Sequence, residues 1–160
     1  NPMAIANAKT ANAEHAVTLT RVFDAPRETV FRAWTDVTQL AKWFGLRDVR
    51  LEVTDFDVRV GGKYRVVFHH ADGRSPVVGG VYRDVTPFER LAFTWVWEQP
   101  MGGGQVGSSP ETLVTVTLKS LGKRTELTLH HRNFADAEFG RAHEQGWNVG
   151  LDRLTELLTA

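Results

Sequence analysis

The segment HEQGWNVGLDRLTELL, residues 143–158, decides the fold that this sequence predicts. Its apolar residues recur with the spacing of one helix face, and its polar residues fall on the opposite face. The apolar face nevertheless includes His143 and two glycines, Gly146 and Gly150. Because glycine costs a helix about 1 kcal/mol relative to alanine, we expect these positions to permit close packing against a strand or to leave unfilled space beneath the helix.

The composition limits the classes of function. The chain has 160 residues with 19 Lys and Arg against 19 Asp and Glu, so we expect one domain and no nucleic-acid partner. The absence of cysteine excludes disulfides and thiolate metal sites and is compatible with a cytoplasmic location. No apolar run reaches membrane-spanning length. Residues 1–16 are predicted to be a disordered leader and residues 17–159 one domain, either monomeric or homodimeric.

The period of the apolar residues changes along the chain. A strand from Val17 is followed by two short helices, the second beginning after Asp36, and then by six alternating segments that begin at Val49. The last helix is expected to start between Asn133 and Asp136. This order predicts an α+β fold in which a curved seven-stranded antiparallel sheet wraps around a long C-terminal helix. The glycine-rich connection QPMGGGQVGSSP is expected to be a mobile hairpin loop and not a packed element.

Alternation along the strands places large rings on the concave face of the sheet. The chain contains five Trp and nine Phe residues. A curved sheet lined with such rings and spanned by a helix often leaves a cleft, but aromatic residues more often fill a core. Composition alone does not choose between a pocket and a filled core.

Five segments taken in order resemble bacterial proteins similar to the C-terminal domain of the activator of the Hsp90 ATPase, in the START-like helix-grip superfamily. The segments are FDAPRETVFRAWTDVTQLAKWFG, VGGKYRVVF, GGVYRDVTPFERLAFTW, TELTLHH and HEQGWNVGLDRLTELL. The resemblance implies a START/Bet v 1-like helix-grip fold with a hydrophobic cavity between sheet and helix. It therefore favours a pocket.

The predicted function is a module that binds a hydrophobic or aromatic small molecule, with no cofactor and no metal. The expected ligand-binding residues lie on the inward strand faces and on the helix stripes. They are Trp34, Trp43, Tyr64, Phe68, His70, Tyr82, Phe93, Trp95, Trp97, Leu129, His131, Phe139, His143 and Trp147.

The polar residues of this set leave two alternatives open. A buried histidine such as His143 is most often structural and bonded to a backbone carbonyl. The other hypothesis is an enzyme of the cyclase or hydratase kind, in which His143 acts with Tyr64 or Asp84 as acid and base. Enzymatic activity is the less expected of the two. Zinc is not expected, because His70, His131 and His143 lack metal-binding spacing.

The resemblance also implies an Hsp90-type chaperone as a possible partner. The activator itself carries an additional N-terminal domain with an Asn-rich Trp-His-Trp motif, and this sequence does not contain that motif. Chaperone regulation is therefore expected less than ligand binding.

Overall fold

The computed structural model describes residues 15–159, and its helices and strands follow the predicted order. The strands are β1 (Val17–Phe23), β2 (Val49–Phe56), β3 (Lys63–His70), β4 (Val77–Thr86), β5 (Arg90–Gly102), β6 (Gln105–Ser108), β7 (Thr112–Leu121) and β8 (Arg124–Arg132). The helices are α1 (Arg27–Thr35), α2 (Val37–Leu40) and α3 (Ala137–Thr159). The predicted leader lies outside the described residues except for its last two.

The strands form a curled antiparallel sheet with the order β1-β8-β7-β5-β4-β3-β2. The long helix α3 packs its apolar stripe onto the concave face, where Leu151 and Leu154 are fully buried. Alternate residues of β3, β5 and β8 point to the same core, as the strand periodicity predicted. The helix-grip fold with a seven-stranded curved sheet is therefore confirmed.

The expected hairpin loop contains a short strand that the sequence did not predict. Strand β5 continues to Gly102 and pairs with the short strand β6, which lies off the main order of the sheet. Gly102, Gly103 and Gly104 all have positive φ angles. This left-handed backbone is accessible to glycine at little cost and closes a tight turn, so the glycine-rich segment forms a β-hairpin.

The helix starts follow local capping chemistry. The Asp36 carboxylate accepts hydrogen bonds from the backbone N–H groups of Thr38 and Gln39, as the sequence predicted for α2. Asp136 caps α3 by accepting from the N–H of Phe139 at 2.8 Å. Pro26 occupies the N-cap of α1. No helix in residues 15–159 combines the length and apolar character needed to cross a membrane.

The two ends of the concave face are filled to different degrees. At one end, Trp34 of α1 and Leu40 of α2 cover the first residues of β3 and β5 and leave a void of only about 20 Å³. At the other end, the first half of α3 spans the last inward residues of the same two strands. The open space of the fold therefore lies under the N-terminal half of α3.

Candidate functional site

A cavity of about 620 Å³ lies between α3 and the sheet. The half-buried His70 and the exposed Gln145 are among its lining residues, so the cavity reaches solvent at their edge. Its walls come from α3, from β3 and β5, and from the segment after α2. The lining residues are Trp43, Phe44, Gly45, Leu46, Val49, Phe68, His70, Pro76, Trp95, Trp97, Phe139, Ala142, His143, Gln145, Gly146, Trp147, Val149 and Gly150.

The two glycines of α3 that the sequence singled out have different surroundings. A Cβ atom added to Gly146 would meet no atom within 4 Å, so this position leaves space unfilled beneath the helix. A Cβ added to Gly150 would lie 3.7 Å from the Trp43 ring and 4.0 Å from the backbone nitrogen of Gly45. The predicted unfilled space therefore occurs at Gly146, whereas Gly150 makes ordinary van der Waals contact with the segment after α2 and does not pack against a strand.

The walls are built mainly from aromatic rings. Seven lining residues are Trp or Phe, and their rings also contact one another. The Trp95 and Trp147 centroids lie 5.2 Å apart, and the Phe44 and Trp147 centroids lie 5.7 Å apart. Such edge-to-face and tilted arrangements hold the rings in place, and their outward faces offer a large apolar surface to a guest molecule.

His143 has both ring nitrogens engaged. The indole N–H of Trp97 donates to Nε2 at 2.9 Å, and Nδ1 lies 2.9 Å from the carbonyl oxygen of Phe139. Because an indole N–H can only donate, Nε2 must accept, and Nδ1 carries the proton that it donates to Phe139. Burial lowers the pKa of His143. The ring is therefore neutral and bonded to a backbone carbonyl, the arrangement expected of a structural histidine.

His131 is held in the other tautomer. The indole N–H of Trp147 donates to its Nδ1 at 3.0 Å, so Nε2 carries the proton and donates to Thr112 Oγ1 at 2.7 Å. The Thr112 hydroxyl donates in turn to the carbonyl of Trp95 at 3.0 Å. Burial and the neighbouring His143 lower the pKa of His131 to about 2. This ring is 0% exposed and contributes no free polar atom to the cavity.

The predicted ligand-binding residues separate into two groups. Those that line the cavity are Trp43, Phe68, His70, Trp95, Trp97, Phe139, His143 and Trp147. Those that do not are Trp34, Tyr64, Tyr82, Phe93, Leu129 and His131. The first four of the second group surround the small void beneath α1, and the last two are fully buried in the core. Strand alternation identifies the inward face but not the position along the strand at which the helices cover it, and that position separates the two groups.

The three catalytic candidates do not meet. The Tyr64 hydroxyl donates to the carbonyl of Thr94 at 2.5 Å, and burial raises its pKa well above the usual value. Asp84 accepts from Thr86 and from Arg90, and these hydrogen bonds lower the pKa of its carboxyl. Neither Tyr64 nor Asp84 lines the cavity with His143. The geometry therefore lacks the acid and base pair that the enzyme hypothesis requires.

Sequence reasoning missed several lining residues. Two of them, Gly146 and Gly150, stood out in the sequence as helical glycines but were not included among the binding residues. The others lie at turns, at the start of β2 or at the edge of α3, where periodicity carries little information. They are Phe44, Gly45, Leu46, Val49, Pro76, Ala142, Gln145 and Val149.

Arg153 supports one wall of the cavity from outside. Its guanidinium donates hydrogen bonds to four backbone carbonyls in the segment that follows α2. The acceptors are the carbonyls of Lys42 at 3.2 Å, Phe44 at 3.4 Å, Gly45 at 3.1 Å and Leu46 at 3.0 Å. Because these groups end a short helix and a turn, one planar donor satisfies carbonyls that would otherwise lack partners.

Residues 24–159 match the family model described as activator of Hsp90 ATPase homolog 1-like protein. The chain belongs to this family. Comparison with curated proteins gives no match. One similar crystal structure is that of a protein from Chromobacterium violaceum. Its sequence is 30% identical to this chain, the TM-score is 0.80, and the match covers 92% of this chain and 99% of that protein. The AHSA1 protein of Silicibacter pomeroyi is 26% identical to this chain, with a TM-score of 0.80. The match covers 90% of this chain and 97% of that protein.

A third similar structure is DynU16, a protein in the dynemicin biosynthetic locus. It shares 26% identity with a TM-score of 0.71, and the match covers 91% of this chain and 48% of DynU16. The chain thus spans about half of that protein's length. Together these comparisons confirm the family predicted from the five sequence segments and the fold that the family adopts.

Proposed function

We propose that this member of the family binds a small hydrophobic or aromatic molecule in the cavity beneath α3. The observation that carries the proposal is the space below Gly146, enclosed by seven aromatic side chains. An unfilled apolar space deprives its lining atoms of packing contacts and so costs stability. A guest of matching shape would restore those contacts, at about 25 cal/mol for each Å² of apolar surface removed from water.

The size of the space supports a small-molecule ligand. Ligand sites typically enclose about 300–1,000 Å³ and are mostly apolar with a few polar groups. The cavity volume of about 620 Å³ lies within that range. The similarity to a protein from a biosynthetic locus is compatible with a small-molecule ligand for this chain.

The test compares ligand binding by the wild type with that by two variants at one position. Thermal unfolding is followed in the presence of a library of fatty acids, sterols and polycyclic aromatics, since a ligand that binds only the folded state raises the melting temperature. Gly146→Leu projects a side chain into the cavity, whereas Gly146→Ala adds only one methyl group. Both substitutions favour the helix, so the alanine variant controls for the gain in helix propensity.

We expect some library compounds to raise the melting temperature of the wild type and of Gly146→Ala. The same compounds should produce a much smaller rise with Gly146→Leu. If no compound raises the wild-type midpoint, or if the rise is equal in all three proteins, binding in this cavity is refuted.

Family membership favours a second candidate function, regulation of an Hsp90-type chaperone. The test is the steady-state ATPase rate of a purified Hsp90 with increasing amounts of this protein. A saturable increase would support regulation, and an unchanged rate would eliminate it. Including Gly146→Leu in the same assay tells whether any effect depends on the cavity.

A further inference from the structure

Most polar side-chain atoms of the inner cavity walls already form hydrogen bonds within the protein. Both nitrogens of His143 and the indole N–H of Trp97 bond each other or the backbone. The indole N–H of Trp147 is committed to His131. The Trp95 indole nitrogen has no hydrogen-bond partner in residues 15–159, and the atom itself is fully buried. The inner walls therefore offer a guest only ring faces and apolar edges.

Two polar side chains at the open edge of the cavity have no such commitment. His70 and Gln145 both line the cavity, and neither side chain forms a hydrogen bond within residues 15–159. The backbone of His70 is held in place by the turn after β3. Its N–H donates a hydrogen bond to the carbonyl of Arg74, and its carbonyl accepts one from the N–H of Gly73. Gln145 is carried by the rigid helix α3. Imidazole and carboxamide can each donate and accept hydrogen bonds.

The charge of the lining limits the polar group that fits there. Among the lining residues in the described part of the chain, none is Asp, Glu, Lys or Arg. The nearby Arg74 side chain is paired with Asp72 at 2.7 Å. A charged group on a ligand would lose hydration without gaining an opposite charge. A neutral hydroxyl or carbonyl group loses less hydration free energy. It can replace its hydrogen bonds to water with hydrogen bonds to His70 and Gln145.

The shape of the walls limits the ligand body. Rings approach from the sheet, from α3 and from the segment after α2, so a flat aromatic body can contact several ring faces or edges at once. A flexible alkyl chain of equal area would lose internal freedom on entering. Planar rings therefore suit this space better than acyl chains.

We propose that the ligand is a planar, neutral aromatic molecule with one hydroxyl or carbonyl group, which His70 and Gln145 bind at the cavity mouth while the rings fill the interior. This inference rests on the proposed function, because it assigns the ligand class of the same cavity. It makes His70 and Gln145 the residues that determine specificity for the polar end.

The experiment measures dissociation constants by equilibrium dialysis for naphthalene, 2-naphthol and 2-naphthoate. These probes share one ring system and differ only in the polar end. The proteins are the wild type, His70→Phe, Gln145→Leu and, as the matched control, His69→Phe. His69 is the neighbouring residue on β3, but its ring lies on the opposite face and bonds Glu52 at 2.7 Å.

For the wild type we expect 2-naphthol to bind about fivefold tighter than naphthalene, the gain from one neutral hydrogen bond, and 2-naphthoate to bind more weakly than 2-naphthol. His70→Phe and Gln145→Leu should each reduce the preference for 2-naphthol while leaving naphthalene binding within about twofold. His69→Phe should keep the wild-type preference.

The outcomes separate the two proposals. If the probes bind but the preference survives both mouth variants, or if 2-naphthoate binds best, the assignment of the polar end is wrong and the cavity remains a binding site. If none of the probes binds, both proposals fail for aromatic ligands. Melting curves of the four proteins without ligand identify any variant that is simply unfolded.

Discussion

The indole N–H of Trp97 on β5 donates a 2.9 Å hydrogen bond to Nε2 of His143 on α3. This bond links the sheet to the helix at the cavity wall. It also decides the chemistry of the histidine, because an imidazole nitrogen that accepts from an indole cannot accept a proton from water or from a ligand at the same time. The cavity is therefore lined by a histidine that behaves as a neutral, aromatic wall residue.

The Trp97–His143 bond predicts the behaviour of a Trp97→Phe variant. Loss of the donor leaves Nε2 of His143 unpartnered, so we expect the free energy of unfolding to fall by about 1 kcal/mol. The pKa of His143 should rise, since its protonated form no longer meets an opposing N–H group. Urea unfolding measures the first effect, and an NMR pH titration of the imidazole measures the second.

Trp43→Phe is the matched control for that experiment. Trp43 also donates its indole N–H within the core, to the carbonyl of Ala33 at 2.9 Å, but this bond does not involve a histidine. The control should lose stability without moving the His143 titration. Equal titration curves for the wild type and Trp97→Phe would contradict the role assigned to the bond.

Two neutral histidines, the fully buried His131 and the half-buried His143, predict a loss of stability in mild acid. Burial lowers the pKa of His131 to about 2 and lowers that of His143, whereas an unfolded histidine has a pKa of 6.5. The stability that comes from keeping these two rings neutral is fully present above pH 6.5. As the pH falls below 6.5 the unfolded chain binds protons that the folded protein does not bind, so His131 removes up to about 1.4 kcal/mol of stability per pH unit. The lowered pKa of His143 acts in the same direction.

The measurement is urea unfolding between pH 6.5 and about pH 5, where carboxyl groups of ordinary pKa are still ionised. We expect His131→Gln to be less stable than the wild type at neutral pH but to lose less stability as the pH falls. His130→Gln should keep the wild-type slope, because its ring lies on the outer face beside Thr18. A slope that His131→Gln leaves unchanged would be inconsistent with a buried neutral ring.

The open space below Gly146 predicts a stabilising substitution. Gly146→Ala should raise the free energy of unfolding by about 0.5–1 kcal/mol, because alanine favours the helix and its methyl group meets no neighbour within 4 Å. Gly140→Ala is the comparison, since its Cβ would lie 3.3 Å from the Phe134 ring. Crowding against the Phe134 ring should offset the gain in helix propensity at Gly140. A destabilised Gly146→Ala protein, measured by urea unfolding, would mean that this space is already occupied.

The four carbonyls bound by Arg153 predict that this residue controls the mobility of the cavity wall. Arg153→Lys keeps the positive charge but loses the planar set of donors, so we expect about 1 kcal/mol lower stability and faster amide exchange in residues 42–46. Hydrogen–deuterium exchange followed by mass spectrometry locates the change.

Arg47→Met is the control for Arg153. Arg47 forms an exposed ion pair with Glu156, with side chains 53% and 60% exposed, and such pairs contribute little. Exchange in residues 42–46 should stay close to the wild-type rate. Similar exchange in both variants would show that the carbonyl contacts of Arg153 do not hold the wall.

Much of the fold could be predicted because it depends on local patterns. Strand alternation placed Trp95 and Trp97 on the inward face, and the helix period placed Trp147 beneath α3. The two glycines of α3 marked positions where the helix face was incomplete. These inferences needed only spacing along the chain and the known preferences of each residue type.

The parts that were missed depend on contacts between distant residues. Tyr64 and Phe68 share one face of β3. Tyr64 nevertheless lies beneath α1, whereas Phe68 lines the cavity. The spacing within β3 is the same for both, so no local pattern distinguishes them. Arg153 likewise has a role only because the segment after α2 lies beside it.

The amino-acid sequence by itself determined the elements of this protein, their order and the faces they bury, because these follow from periodicity and from the conformational preferences of neighbouring residues. Only the tertiary structure decided which end of the concave face is filled, which tautomer each buried histidine adopts and which polar side chains remain free at the mouth. Those properties arise where side chains from different helices and strands meet, and their contact geometry is set by the packing of the whole sheet against α3.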